Sequence, residues 1–560
     1  MGPPIRIQGK TPLQLANRPA VTDGLSRGHA GRPSGRGPAK SGRECIILDV
    51  EQAKPAAEGS IFRPEHNCWR MERADRLALI VDAAGYFKML RSVLSTAKRE
   101  LLLIGWDFDF EIEMCPGESD AEGCAPDGLP NQLGAFLEEI VRRAPDLNIY
   151  ILKWNGAVLA APGRLLPTLA LHMFGDDRIH FALDGHHPFG ACHHQKIIVA
   201  DDSFAFCGCI DATEDRWDTP DHTPGDPRRV RKDGSPSEPW HDITTALTGP
   251  VATALADLSR NRWLRATGDT LARPEVDAAD VWPSALKVDA EDLNVAIART
   301  EPPYDGAPMI NEIEQLYLDS IRLARDTIYI ESQYFAAETV CDAIAERLKE
   351  NGGPEVVVIN PEAALSALED KAMHTLRGRM IDQLTAVDHQ DRFRIYYPVN
   401  AEEEPIYVHA KVMIVDDRLL HIGSSNLDDR SMGFDTECDI AFADRADVIT
   451  GFRRTLLCEH LDAAPDTLDA TLRETGSLIA AIETLNGAEG RGLRRVKTLP
   501  EEPVGWFLAD TRLLDPRYYK RHAATAGKGV RPRHLAMIAG GAALGFLGYR
   551  AWQHWRGSRS

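Results

Sequence analysis

The chain has 560 residues, a formal net charge of −20 and 43% hydrophobic side chains, enough length and apolar content for two lobes that each bury a core. The charge is unevenly placed: residues 1–43 carry about +7, residues 511–560 about +9, and the body between them about −36. An acidic body argues against nucleic acid as the main partner, because a phosphate backbone needs a basic track.

In chain order, residues 1–43, rich in Gly, Pro, Ser and Arg, read as a disordered basic tail without the apolar run of a signal peptide. Lobe one is expected over 44–268. Its Tyr86, Leu90, Val93, Leu94 and Ala97 recur at helical spacing and lead into an apolar strand at 101–104. A second apolar run, 196–200, follows His194, and the stretch 219–238, full of Pro, Gly, Asp and Arg, reads as an inserted loop at the mouth of a site. Residues 269–292 link the lobes. Lobe two, 293–510, repeats the plan: Ile313, Leu316, Tyr317, Ile321 and Ala324 at helical spacing, a strand at 327–330, then the apolar run 411–415. The basic tail 511–560 holds an apolar and glycine run at 535–549. As a helix it would be about 22 Å long, short of a hydrocarbon core of about 30 Å. Flanking Arg531, Arg533, Arg550, Trp552 and Trp555 suit an interface, so a membrane-surface attachment or marginal anchor is expected rather than a full span.

One word is written twice. Histidine, lysine two residues on and aspartate five further occur as His194, Lys196 and Asp201, and again as His409, Lys411 and Asp416. Each copy is followed at equal distance by a glycine, Gly208 or Gly423. Residues two apart share a strand face, so each lysine points with its histidine. Two converging lysines offer positive charge to phosphate oxygens. Two histidines can divide the work at neutral pH, one attacking phosphorus as neutral imidazole while the other, protonated, serves the leaving oxygen.

The doubled motif resembles that of the phospholipase D superfamily, and its flanking words resemble the phosphatidylcholine-type, bacterial-like branch. In lobe one these words are Gly105-Trp106-Asp107, His193-His194-Gln195-Lys196, Gly208-Cys209-Ile210-Asp211, Arg216-Trp217-Asp218 and Trp240-His241-Asp242-Ile243. In lobe two they are Tyr329 to Phe335 and the run from His409 through Gly423-Ser424-Ser425-Asn426 to Glu437. The resemblance implies an α/β fold of two homologous α-β-α sandwich lobes with the active site at their interface. It implies His194 as the nucleophile that forms a phosphohistidine, His409 as general acid and then base, and Lys196 and Lys411 on the phosphoryl oxygens. Asp201 and Asp416 complete the catalytic motif but are expected to hold structure rather than react. Gly208, Asp211, Ser424 and Asn426 make up the expected substrate-binding set; Asp211 accepts hydrogen bonds only, so it does not copy Asn426. Asp242 and Glu437, acidic residues downstream of the motifs, are expected to orient the histidines, and Glu331 to lie at the rim of the site. Cys209 stands where the branch usually has glycine.

The expected activity is hydrolysis of glycerophospholipids such as phosphatidylcholine to phosphatidate and alcohol, with transfer to another alcohol through the same intermediate. Two other readings use the same residues on another substrate, a cardiolipin synthase-like phosphatidyltransferase and another phosphodiesterase or nuclease; a third, of a different class, is a non-catalytic membrane-binding module. No metal or other cofactor is expected: no metal-ligand cluster shows in the sequence, and the ten cysteines contain no C-x-x-C pair. They read as reduced thiols of a cytoplasmic, membrane-associated protein. The expected partners are the phospholipid membrane with its lipid substrate, and water or alcohol as acceptor; no nucleic acid is expected. Trp106, Trp217 and Trp240 read equally as core aromatics or as walls of a choline pocket.

Overall fold

The computed structural model describes residues 60–156, 175–275, 281–364, 367–487 and 489–498, with residues 509, 515 and 516. The N-terminal basic tail and the apolar run 535–549 lie outside the described residues. Among the described residues no helix is long and apolar enough to cross a membrane.

Lobe one contributes strands β1 (Arg70–Val81), β2 (Glu100–Gly105), β3 (Asn148–Trp154), β4 (Ile179–Asp184), β5 (Ile197–Ala200), β6 (Phe204–Gly208), β7 (Trp240–His241) and β8 (Ile243–Thr248). Lobe two contributes β9 (Ala290–Glu301), β10 (Ile310–Asn311), β11 (Thr327–Ser332), β12 (Glu355–Ile359), β13 (Phe393–Val399), β14 (Tyr407–Val408), β15 (Lys411–Val415), β16 (Leu419–Gly423), β17 (Glu437–Ala443) and β18 (Gly492–Arg495). β9 starts inside the stretch expected to link the lobes, and the backbone of Leu79 donates to Asp289 at 3.0 Å, which binds the end of that stretch to lobe one.

The sequence repeat becomes a mirrored strand order. One sheet runs β13-β12-β11-β15-β16-β17-β9 and continues β1-β8-β6-β5-β2-β3-β4. In each half three strands, β11-β12-β13 or β2-β3-β4, pair in parallel and the inner ones antiparallel; β18 adds an antiparallel edge to β13 in lobe two. The halves join where β1 pairs antiparallel with β9, from Arg70↔Ile297 to Leu77↔Ala290. A small parallel ladder between β7 and β14 crosses the seam just before Asp242 and His409.

Helices cover both faces. The two expected helical patterns become α1 (Ala83–Leu94) and, through α2 (Leu133–Arg143) and α3 (Pro250–Thr267), α4 (Glu312–Leu323). α1 buries Tyr86, Phe87, Leu90, Val93 and Leu94, and α4 buries Ile313, Leu316, Tyr317 and Ile321. Each such side chain contributes roughly 1.5–3 kcal/mol by leaving water. Strand period decides which core each residue joins: Ile198 packs with α1, while Ile197 and Val199 face the opposite layer, a core shared by both lobes. Because both faces are covered, β5 and, after Lys411, β15 are apolar along their length instead of alternating with polar residues.

Candidate active site

Each motif histidine is fixed by the other lobe. The His194 N–H donates to the Thr436 carbonyl at 3.0 Å, and the His409 N–H donates to the His241 carbonyl at 2.8 Å. The next residue in each case is an acid, Glu437 or Asp242. His194 Nδ1 lies 3.0 Å from both Glu437 carboxylate oxygens, and His409 Nδ1 lies 2.8 Å from Asp242 Oδ2. The acids expected to orient the histidines therefore do so crosswise, each serving the histidine of the opposite lobe. Neither Nε2 has a hydrogen-bond partner among the described residues, so it is the ring atom left for a substrate.

The two dyads differ electrostatically. Burial, reinforced by Lys196 and Lys411, holds the His194 pKa well below its ordinary value. His409 is likewise pushed well below, by burial and then by Lys411. Burial thus favours the neutral form of both rings. Burial pushes Glu437 well above the carboxylate range, whereas for Asp242 the same burial is outweighed by His409 and Lys411, which bring it to about 2. Glu437 also receives two hydroxyls, Ser424 Oγ at 2.6 Å and Ser431 Oγ at 2.7 Å. Asp242 remains a charged acceptor, with the Ile243 N–H at 2.9 Å and Trp240 Nε1 at 3.4 Å.

The lysines are buried beside their histidines, each Nζ donating back to its own histidine's carbonyl. Lys196 Nζ also lies 3.3 Å from Asp211 Oδ2, and Lys411 Nζ reaches Gln333 Oε1 at 3.5 Å. Burial lowers Lys411 to about 8. Asp211 is therefore placed as the partner of Lys196, and its other oxygen accepts the Trp106 N–H at 3.2 Å. Ser424, expected on the phosphoryl group, instead donates to Glu437. Asn426 is buried with Oδ1 unpartnered among the described residues. Gly208 and Gly423 are strand residues under close packing: a Cβ would lie 2.5 Å from Thr244 Oγ1 or 2.1 Å from Asp439 Oδ1. Cys209 fits as the interlobe neighbour of Lys411, whose N–H lies 3.2 Å from Sγ.

Asp201 and Asp416 stand at the far ends of β5 and β15, about seven residues and roughly 20 Å of extended chain from the histidines. Each begins a two-residue hairpin turn with positive φ, 49° then 53° at Asp201–Asp202 and 52° then 51° at Asp416–Asp417. The Asp201 carboxylate accepts the N–H groups of Lys98, Arg99 and Glu100 at 2.7–2.8 Å. Asp416 accepts those of Arg325, Asp326 and Thr327 at 2.8–2.9 Å. The motif aspartates thus tie each hairpin to the entry of β2 or β11 and belong to the fold, not to the reacting centre.

Of the three tryptophans, Trp240 is a core residue behind the site, stacked on Tyr407 at 4.5 Å and tilted against His409 at 5.3 Å. Trp106 stacks on Trp154 at 5.7 Å. Trp217 lines a cavity of about 380 Å³ with Arg228–Lys232, which no motif side chain reaches. Glu331 is not at the rim: it is fully buried, between Tyr329 Oη at 2.5 Å, His241 Nε2 at 2.8 Å and His460 Nε2 at 3.0 Å.

The family "Phospholipase D" matches residues 182–341, and the family "Cardiolipin synthase, PLD-like domain" matches 317–456. The chain belongs to the phospholipase D superfamily. Superfamily relatives include phospholipase D alpha 1 of Carica papaya, 24% identical over 74% of this chain and 66% of the relative. That of Nicotiana tabacum is 26% identical over 49% of each. The chain spans about half to two thirds of the length of these curated relatives. Among solved structures, the phosphatidylserine synthase of Haemophilus influenzae Rd KW20 shares the fold, with a TM-score of 0.51 at 12% identity over 78% of this chain and 93% of that one.

Three features of this superfamily member escaped the sequence reading. The crossing of the acids depends on strand order across the seam, which no local spacing encodes. Ser431, the second hydroxyl on Glu437, lies in a short turn of helix after the Gly-Ser-x-Asn element and carries no motif of its own. Three buried histidines, His222, His241 and His460, gather with Asp82, Glu331 and Glu459 behind the site. His222 comes from the stretch expected as a loop at the mouth; its first half folds inward instead, burying His222, Asp226 and Arg229.

Proposed function

We propose that the chain is a phospholipase D-type phosphodiesterase that cleaves the distal phosphodiester of a glycerophospholipid, phosphatidylcholine foremost, to phosphatidate and an alcohol. The observation that carries this reading is the pair of crossed dyads, which supplies two oriented imidazoles and two buried lysines at one seam. His194, held through Nδ1, attacks phosphorus from Nε2 and forms a phosphohistidine. Lys196 and Lys411 hold the phosphoryl oxygens, with Asn426 beside them. The bound phosphodiester brings a negative charge that offsets the two lysines, so His409 gains a proton that ionised Asp242 stabilises. His409 delivers that proton to the leaving alcohol and then takes one from the incoming water or alcohol.

The acceptor decides between hydrolase and phosphatidyltransferase. The match of 317–456 to a cardiolipin synthase-type domain favours keeping transfer as the second reading. The basic ends are inferred to hold the acidic body at an anionic lipid surface, at about 1 kcal/mol per well-placed residue. Purified protein with mixed phospholipid vesicles and a trace of primary alcohol tests all of this by mass spectrometry of the lipid products. Phosphatidate with the phosphatidyl-alcohol, both lost in His194→Ala, is expected. Cardiolipin as the product would move the reading to the synthase, and binding without turnover would defeat the enzyme reading.

A further inference from the structure

Behind His409, four side chains converge from distant parts of the chain: Asp82 before α1, His222 in the inward fold, His241 in β7, and Glu459 in the helix Ala446–Leu461. One donor atom from each lies within 4.8 Å of every other, and all four residues are buried. We propose that these four residues form a structural site for a divalent transition-metal ion of the zinc class, which joins the lobes behind the reacting centre.

The donor set and its spacing fit. Two imidazole nitrogens and two carboxylate oxygens suit a closed four-coordinate zinc site. With metal bonds of about 2.0–2.2 Å, neighbouring donors of a tetrahedron stand roughly 3.3 Å apart. His241 Nδ1 lies 2.8 Å from Glu459 Oε1 and 3.4 Å from Asp82 Oδ1. His222 Nε2 lies 3.1 Å from Glu459 Oε1 and 3.7 Å from Asp82 Oδ2. Two of the inward atoms, Asp82 Oδ2 and His241 Nδ1, have no hydrogen-bond partner among the described residues although fully buried; Glu459 approaches His241 out of line with the ring N–H. A buried carboxylate oxygen and ring nitrogen that have charged neighbours but no hydrogen-bond partner are costly unless a bound group satisfies them.

The outer partners are those that metal-bound histidines use. Each histidine presents one nitrogen inward and gives the other to a further carboxylate: His222 Nδ1 to Asp218 Oδ2 at 2.9 Å, His241 Nε2 to Glu331 Oε2 at 2.8 Å. Such an arrangement fixes ring and tautomer for coordination. Asp218 is paired in turn with Arg229 at 3.0 Å. Asp82 adopts φ 61° and ψ 153°, a region nearly restricted to glycine, and at the start of α1 its side chain makes no helix cap. Its backbone gives up an ordinary conformation to place the carboxylate in the cluster. Charge also balances: a dication can replace two imidazolium protons among these four carboxylates without changing the net charge.

Three ligands belong to lobe one and Glu459 to lobe two, so the ion would fasten the seam. Asp82 Oδ1 also accepts the Asp242 N–H at 3.0 Å, which places the ion one residue behind the acid that orients His409.

The test is metal analysis of the full chain purified without chelators, by inductively coupled plasma mass spectrometry. About one zinc-class ion per chain is expected, falling at least fivefold in Glu459→Gln and in His222→Gln. Unchanged metal content in both variants, or none in the wild type together with no uptake of cobalt by chelator-treated protein, would overturn the proposal. If the variants do not fold, cobalt substitution in the wild type decides. Visible bands of a four-coordinate nitrogen–oxygen site without thiolate charge-transfer absorption support it. Thiolate absorption would instead place the metal on cysteines and overturn it.

Discussion

Removing the charge of Asp242 should separate the two chemical roles of the histidines. Asp242→Asn preserves shape and leaves Oδ1 as acceptor for the Ile243 N–H, but it puts an amide where Oδ2 now meets His409 Nδ1 at 2.8 Å and Trp240 Nε1 at 3.4 Å. A hydrogen bond to a charged group contributes about 1.5–3 kcal/mol. At about 1.36 kcal/mol per factor of ten, protonation of the leaving oxygen slows about 10- to 150-fold. The assay compares two substrates. Choline leaves as an alkoxide that needs a proton, whereas p-nitrophenol leaves as a stabilised phenolate that does not. With phosphatidyl-p-nitrophenol, Asp242→Asn should release one equivalent of phenol per chain in a burst, because attack by His194 is untouched. A slow steady rate should follow, because His409 must still activate water. Glu437→Gln should abolish the burst, since it disturbs the nucleophile itself together with the hydroxyls of Ser424 and Ser431. Retention of the burst in Glu437→Gln with its loss in Asp242→Asn would exchange the roles, and equal loss in both would refute the division of labour.

Asp201→Ala should destabilise the chain by about 3 kcal/mol, through three lost backbone hydrogen bonds and a positive φ that alanine resists, while kcat per folded molecule stays unchanged. Urea unfolding beside lipid turnover checks this, and a loss of kcat without loss of stability would contradict it. Gly423→Ala should abolish the soluble fold, because its Cβ would lie 2.1–2.4 Å from Asp439; Gly451→Ala, with nothing within 4 Å, should stabilise by about 0.5–1 kcal/mol, and soluble yield and melting temperature measure the contrast. Lys411, lowered to about 8 by burial, is charged below that pH and neutral above it. The free-enzyme profile of kcat/KM should therefore hold up to about pH 8 and fall about tenfold per unit beyond it; a profile still flat about two units higher would remove Lys411 from the site.

The repeat was legible because a duplicated chemical word at equal spacing survives in sequence, and its consequence, a mirrored strand order, follows from packing two like lobes edge to edge. The helical spacings of Tyr86 to Leu94 and Ile313 to Ile321 were legible for an ordinary reason: one buried face imposes its period. What stayed hidden was tertiary. Ser424 lies in the expected element, yet which partner its hydroxyl takes depends on Glu437 arriving from β17. Glu331 reads as a rim acid from its neighbours in sequence, but β11 is central in its half-sheet, so the side chain has no route to solvent. Asp82, His222, His241 and Glu459 share no spacing that marks ligands, since 377 positions separate the first from the last. A stretch rich in Pro, Gly and Asp is irregular, but irregular backbone can still bury its side chains when carboxylates and an arginine satisfy them, as Asp218 and Arg229 do here.

The crossed dyads give the duplication a chemical consequence. A lobe alone holds a histidine and a lysine but lacks the acid that would orient its ring, so neither half can assemble a competent site without the seam. Strict symmetry would also be a handicap, because two equivalent imidazoles would compete for the same role. The chain breaks the symmetry at the acids. Glu437 is longer and pushed up by burial, against which its two serine hydroxyls act; Asp242 is shorter, pinned by the Ile243 N–H and held low by His409 and Lys411. The partner that burial pushes up favours a neutral His194 nucleophile, and the one held low draws the working proton to His409. Identical motif words therefore acquire different chemistry from what the opposite lobe places behind them.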